Sequence, residues 1–197
     1  MSVSATSVWG KIWVHPKKTM EAILQENPKK WIIWLAIIWG ILSLWLGLST
    51  SSHEQVHALS TGVEIALILI VGAVAGIVHL YVGGWLLQLT GSWVGGEGNF
   101  VDVKSAVGWN FYPNSVAILF GLLGVAAFPN PWLQLAAGIV YIVGAIWAFV
   151  IFMNLLAAAH KVSAWKALLA FIIAVVLVLV ALMVITLLAP LLAPLFR

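Results

Sequence analysis

Apolar positions in this chain run in long unbroken stretches, without the alternation of half-buried strands or the narrow stripe of a surface helix. Five such stretches occupy most of the length: Trp31–Leu48, Val63–Leu89, Ala106–Phe128, Trp132–Ala159 and Ala164–Leu188. A hydrocarbon core of ~30 Å is crossed by ~20 helical residues at ~1.5 Å each, and lipid offers backbone groups no hydrogen bonds. The pattern therefore predicts an all-α polytopic membrane bundle of five transmembrane helices.

The polar positions are patterned as well. Before the first span, Trp9, Ile12 and Trp13 precede Pro16, and Met20, Ile23 and Leu24 recur at helical spacing opposite Lys17, Lys18 and Glu21. Pro28 stops that helix. This predicts an N-terminal interfacial amphipathic helix, with Trp in the headgroup layer and Lys towards anionic lipid. A partner-binding helix uses the same pattern. Thirty residues precede the first span, too many for a secretory n-region, so that span is expected to be retained. The domain reading is residues 1–30 as a cytoplasmic amphipathic segment and 31–197 as the five-span membrane domain.

Within the spans, small and polar residues line single faces. Gly72, Gly76, His79 and Gly83 share one face of the second span, and Asn110, Asn114, Ala117, Gly121 and Gly124 one face of the third. The fourth repeats the spacing with Gly144, Trp147, Ile151, Asn154 and Ala158. Such stripes allow close helix approach, and the expectation is that the Gly72/Gly76/His79/Gly83 face meets the Asn110/Asn114/Gly121 face, where the polar groups then pair. The fifth span is apolar all round and is expected to be the most lipid-exposed. Pro113 should bend the third span beside Asn110 and Asn114, as a static kink or a hinge.

Charge adds orientation. The chain is 63% hydrophobic and only 8% charged, with mean hydropathy +1.12, against about 25% charged in a soluble domain. Lys11, Lys17, Lys18, Lys29 and Lys30 precede the first span, Lys104 follows the second, and Lys161 and Lys166 flank the turn before the fifth. Arg197 alone falls on the other side. The positive-inside rule then places this protein in the cell membrane with its N-terminus cytoplasmic and its C-terminus external. A net charge of +3 points to no nucleic-acid partner, and the lack of Cys excludes disulfides and thiolate metal sites.

On that topology His79, Asn110, Asn114 and Asn154 all fall in the cytoplasmic half of the bilayer. They are read as an intramembrane polar cluster, bonding between helices or lining a hydrated pocket. One loop motif suggests other chemistry. His53-Glu54-Gln55-Val56-His57 matches H-E-x-x-H, which on a helix puts two imidazoles on one face for zinc with the Glu as general base. Catalytic zinc wants a third protein ligand in a shaped cavity, and Glu64, the nearest candidate, sits at no zincin spacing. The expectation is a solvated external loop, with no metal, no cofactor and no catalytic residue. The loop Gly91–Phe100 is Gly-rich but follows no strand and lacks a Gly-Lys-Ser/Thr ending, so it reads as a flexible connection. Asn99 and Asp102 offer capping for the helix that follows.

Three segments carry a resemblance. Trp9-Gly-Lys-Ile-Trp-Val-His-Pro-Lys-Lys-Thr-Met with Ile23-Leu-Gln-Glu-Asn-Pro28 is similar to the start of prokaryotic members of the Yip domain family, the Ypt/Rab-GTPase-interacting membrane proteins. The Gly-Gly-x-Gly loop followed by Val107-Gly-Trp-Asn-Phe-Tyr-Pro113 resembles that family's Gly-aromatic-x-x-x-Pro segment, and Ser163-Ala-Trp-Lys-Ala-Leu-Leu-Ala resembles the start of its fifth span. The resemblance covers nearly the whole chain. It implies five spans, a cytoplasmic N-terminus and no known enzymatic activity. Eukaryotic relatives act in vesicle traffic with small GTPases through a longer N-terminal region. This chain has thirty residues there and lacks the Asp-Leu-Tyr-Gly-Pro element. The function expected is a scaffold or accessory subunit with a protein partner or a homo-oligomer in the bilayer. A transporter or channel with a cytoplasm-facing polar pocket is one alternative, and a metallopeptidase through His53 and His57 another.

Overall fold

The computed structural model describes residues 5–50 and 61–192, with side chains described for 8–50 and 62–188. Every described element is an α-helix: α1 (Ala5–Val14), α2 (Pro16–Glu26), α3 (Ile32–Thr50), α4 (Thr61–Trp93), α5 (Phe100–Ala126), α6 (Pro131–His160) and α7 (Ala164–Leu192). The fold is the predicted all-helical membrane bundle. The five apolar stretches correspond to α3–α7, and α3, α4, α6 and α7 are long and apolar enough to cross a membrane by length and composition alone.

The fifth long helix, α5, differs because it is the interior one. Its 27 residues span roughly 40 Å. The run Val103–Trp109 is buried at every position, so neighbours enclose the start of α5 on all sides. Those neighbours are α3, α4 and α6, with α2 touching its first turns. Enclosure explains the polarity: the helix that touches least lipid can carry Ser105, Asn110, Asn114 and Ser115. At the opposite extreme, α7 packs mainly on α4 and α6, through Ala167, Ala170 and Ala174, and is exposed along most of its length. That agrees with its featureless apolar sequence.

Local sequence sets the helix ends. Asn99 caps α5 by accepting from the Asp102 N–H at 3.0 Å, while its own amide donates to the Asp102 carboxylate at 2.8 Å. Asn130 caps α6, with Pro131 at the first helical position. At the end of α6, Lys161 adopts a left-handed conformation (φ 56°). Val162 N–H bonds back to Ala157 O and Lys161 N–H to Ala158 O, the pair that closes a Schellman turn.

The N-terminal segment is two helices, broken at His15-Pro16, and it packs on the bundle. Ile12 and Met20 are fully buried and Ile23 nearly so, with α2 lying along α6. Trp9 joins α1 to the bundle. Its ring lies 5.1 Å from Trp109 and 4.8 Å from Tyr112 of α5, and 6.3 Å from Trp31 before α3. Ser105 of α5 donates its hydroxyl to the carbonyl of Pro28, fixing the link between α2 and α3.

Candidate functional site

The glycine stripe of α4 divides into two parts. A Cβ on Gly72 would stand 2.7 Å from the Ile41 Cα of α3, and one on Gly76 would strike the backbone of Ala36. Gly40 of α3 sits equally tight against Gly72 and Gly76. The small-xxx-small pair of α4 therefore crosses a matching Ala36-x-x-x-Gly40 pair on α3. The expected meeting of this face with the Asn110/Asn114/Gly121 face is corrected for Gly72 and Gly76, which pack on α3, and for Gly121, which lies between Leu46 of α3 and Tyr141 of α6, while His79 and Gly83 do face α5, at Phe111 and Val107. The reason is that α3 carries its own small pair, and two backbones approach most closely where both lack side chains.

Further along the same face, Gly83 has space. A Cβ there would make only ordinary contact, 3.8 Å from the His79 ring and 4.0 Å from Val107. It lines a cavity of about 320 Å³ among α4, α5, α6 and α7. His79 is the cavity's one polar side chain; most of the wall is aliphatic, with Phe152 and Phe171 as its aromatic members. The back of the imidazole rests on Trp39 and Phe111, at 4.8 and 5.7 Å between ring centres.

The other members of the predicted polar cluster are placed separately. Asn114 donates its amide to the Asn110 carbonyl at 3.0 Å and Asn154 donates to the Val150 carbonyl at 2.9 Å, each one turn back on its own helix. The Asn110 side-chain oxygen is buried with no partner among the described residues. Pro113 is fully buried in a helix that continues through it. It cannot bond the carbonyl of Trp109, and the Asn114–Asn110 bond reinforces the ladder one residue further on.

A second constellation sits at the end that carries α1 and α2. His160 is 1% exposed at the last turn of α6. Its Nε2 lies 3.1 Å from the Leu87 carbonyl, which can only accept, so Nε2 donates there, and Nδ1 is buried with no partner among the described residues. Gly91, Gly96 and Gly98 surround the ring. A Cβ on Gly96 or Gly98 would come within 2.7 or 2.9 Å of Nδ1, and one on Gly91 would strike the imidazole. The loop then ties back through Gly96 N–H to Gly91 O and Glu97 N–H to His160 O. The reading of this loop as a flexible connection is corrected: it closes on His160, and its glycines let backbone reach the ring. Gly spacing and a helix-terminal His were both visible in the sequence, but nothing there pairs residues so far apart.

Around this clasp lie charges. Lys161 Nζ is 3.7 Å from the Glu97 carboxylate, both well exposed. Lys104 directs its ammonium over the rings of Tyr81 at 4.2 Å and Phe100 at 5.0 Å. Asp102, ahead of the apolar stretch of α5, has its carboxyl pushed up by burial, and the Lys161 charge pulls it back down. Lys17 and Glu21 of α2 line a groove with Asp102 and Lys161.

His53, Glu54 and His57 lie outside the described residues. Glu64 opens α4 and is half-buried. Among the described residues no group of three His, Asp or Glu side chains is placed to hold a metal. In comparisons with known proteins, the family model of the Yip1 domain matches residues 10–185. No curated protein and no solved structure matches the chain.

Proposed function

Because the chain belongs to the Yip1 domain family, we propose that it is a non-enzymatic integral membrane scaffold or accessory subunit that organises protein partners in the bilayer. The observation that carries this reading is the docking of α1 and α2. Burial of Ile12, Met20 and Ile23 and the Trp9 cluster hold the two helices fast. Exposed Lys11 and Lys18, with Lys17, Glu21 and Gln25 along the rim of the groove that α2 forms with Asp102 and Lys161, present a fixed array of polar groups. A rigid polar face beside a membrane bundle suits a partner protein better than catalysis.

A transporter needs a continuous polar path. Asn114 and Asn154 are spent on their own backbones, and His79 opens onto an apolar cavity, which favours the scaffold. The metallopeptidase alternative would rest on His53 and His57. We assign the protein to the cell membrane, α1 and α2 on the cytoplasmic side and the C-terminus external, from the basic asymmetry. The partner is another protein or a second copy of this chain.

The test places a photo-crosslinking amino acid at Lys18 or Glu21, followed by extraction in mild detergent and mass spectrometry. The same discrete adduct from both positions, absent from Val176 on α7 and lost with Trp9→Ala, is expected. No adduct, together with solute flux in proteoliposomes that falls on His79→Ala and Asn110→Ala, would replace the scaffold with a transporter.

A further inference from the structure

The cavity beside His79 has no role in a scaffold. Its walls come from four helices: His79 and Gly83 of α4, Val107 of α5, Phe152 of α6, and Phe171 and Val178 of α7, and α4, α6 and α7 are each long and apolar enough to span the bilayer. Its depth follows from chain position. Phe171 and Val178 stand 7 and 14 residues beyond Ala164, the first residue of α7. At ~1.5 Å per residue that is roughly 10–21 Å from the end of the bundle where α1 and α2 dock. The space therefore occupies the leaflet on the α1/α2 side.

Water is a poor occupant. A buried water needs two to four polar partners, and this wall has one polar side chain. An empty space of about 320 Å³ would leave its lining atoms without dispersion partners on one side. The molecule within reach at this depth is hydrocarbon. At ~30 Å³ per water-sized group, the space holds roughly ten such groups, the length of part of an acyl chain.

The way in is beside α7. That helix holds the bundle through Ala167, Ala170 and Ala174 near its start, and beyond Ala174 the residues Val175, Val178 and Leu179 line the cavity while remaining exposed. The wall thus opens sideways to the bilayer. We infer that this crevice is a binding site for one acyl chain of a phospholipid from the leaflet on the α1/α2 side, entering between α4 and α7. The contrast along α4 supports it: where the bundle closes, a Cβ on Gly72 or Gly76 strikes backbone, while at Gly83 it meets nothing closer than 3.8 Å. The chain fills the gap between α7 and the rest of the bundle.

The purified full chain, reconstituted in phosphatidylcholine/phosphatidylethanolamine vesicles, is photolysed with a phospholipid bearing a diazirine in the outer half of one acyl chain. Adducts are mapped by mass spectrometry. We expect at least five-fold more adduct on residues 79–87 and 171–179 than on the lipid-exposed positions Ile142 and Ile146 of α6. Gly83→Leu and Ala174→Phe, which fill the cavity, should each lower that labelling at least five-fold, and Val176→Phe on the outer face should leave it unchanged. Should Ala174→Phe fail to fold, Val178→Trp fills the space from its rim. A second readout is thermal: returning phospholipid to delipidated protein raises the melting temperature of the wild type and not of Gly83→Leu. Labelling spread evenly over α4, α6 and α7 and indifferent to the filling variants would overturn the site, leaving only the ordinary lipid shell. A second copy crosslinked through Val175 would overturn it in favour of a protein occupant.

Discussion

Gly76 and Gly83 lie on one face of α4, seven residues apart, and should respond oppositely to added side chains. Gly76→Leu drives a branched chain into the backbone of Ala36 and forces α3 and α4 apart; overpacking of this kind costs ~1–3 kcal/mol or more. Gly83→Ala adds a methyl at ordinary contact distance and gains up to ~1 kcal/mol of helix propensity. Thermal melts in detergent should therefore show Gly76→Leu lower by several degrees, at ~2–4 °C per kcal/mol for this size, and Gly83→Ala level or higher. Lys161 gives a second prediction. A non-glycine residue in the left-handed region costs about 1–2 kcal/mol, and the ion pair it would lose to Glu97 is exposed and worth at most ~1. Lys161→Gly should raise the melting temperature by a few degrees; a fall would mean that the Glu97 pair outweighs the turn. At this scale the sequence showed which residues were special but not what they face. The stripe at Gly72 and Gly76 was legible as a packing surface. Its partner was obscured because Ala36 and Gly40 of α3 sit among Trp34, Trp39 and Leu35, which dominate the apolar run. The role of His160 was illegible because its glycine clasp comes from residues some seventy positions away.

Elements were more legible than contacts. Apolar length alone marked α3 to α7, since no other backbone arrangement of that length satisfies itself in lipid. Asn99 and Asp102 announced the start of α5, and Pro28 the end of α2. The amphipathic N-terminal segment was legible as a helix with one apolar face, but a face suited to headgroups is also suited to a protein groove. Burial of Ile12 and Met20 by the bundle could not be told from burial in lipid. The docking predicts a mechanical consequence. Trp9→Ala removes an aromatic set between Trp31, Trp109 and Tyr112; a fully buried Trp→Ala costs ~3–5 kcal/mol, and the half-buried Trp9 falls below that. It should free α1 and α2 while α3 to α7 remain assembled. Limited trypsin digestion of membrane vesicles should then cleave after Lys17 and Lys18 several-fold faster in Trp9→Ala than in the wild type. Equal rates would mean that α2 alone secures the segment through Met20 and Ile23.

At the scale of the whole molecule, the contacts gather the lysines. Lys17 shares a groove with Lys161, Lys161 pairs with Glu97, and the Lys166 ammonium lies 3.8 Å from where a Cβ on Gly95 would stand, so the N-terminal helices and two inter-helix turns occupy one end of the bundle. All eight lysines of the chain lie in α1 and α2, in the link from α2 to α3, in the turn after α6, or in the first turns of α5 and α7. Single Cys residues introduced at Lys17 and Lys161 should therefore resist a membrane-impermeant maleimide in intact cells, and one at Ser52 should react. External labelling at Lys17 would reverse the orientation. The same arrangement bears on the order in which the protein is made. α1 and α2 leave the ribosome before the rest of the bundle, yet the surfaces that receive them, on α5 and α6, are complete only when His160 has been synthesised, more than a hundred residues later. At ~5–20 residues per second that delay is on the order of ten seconds. Through that interval the Trp and Lys faces of α1 and α2 have only the headgroup layer to rest on. The segment that moors the unfinished bundle is thus later taken up into the protein, and assembly closes over its own mooring.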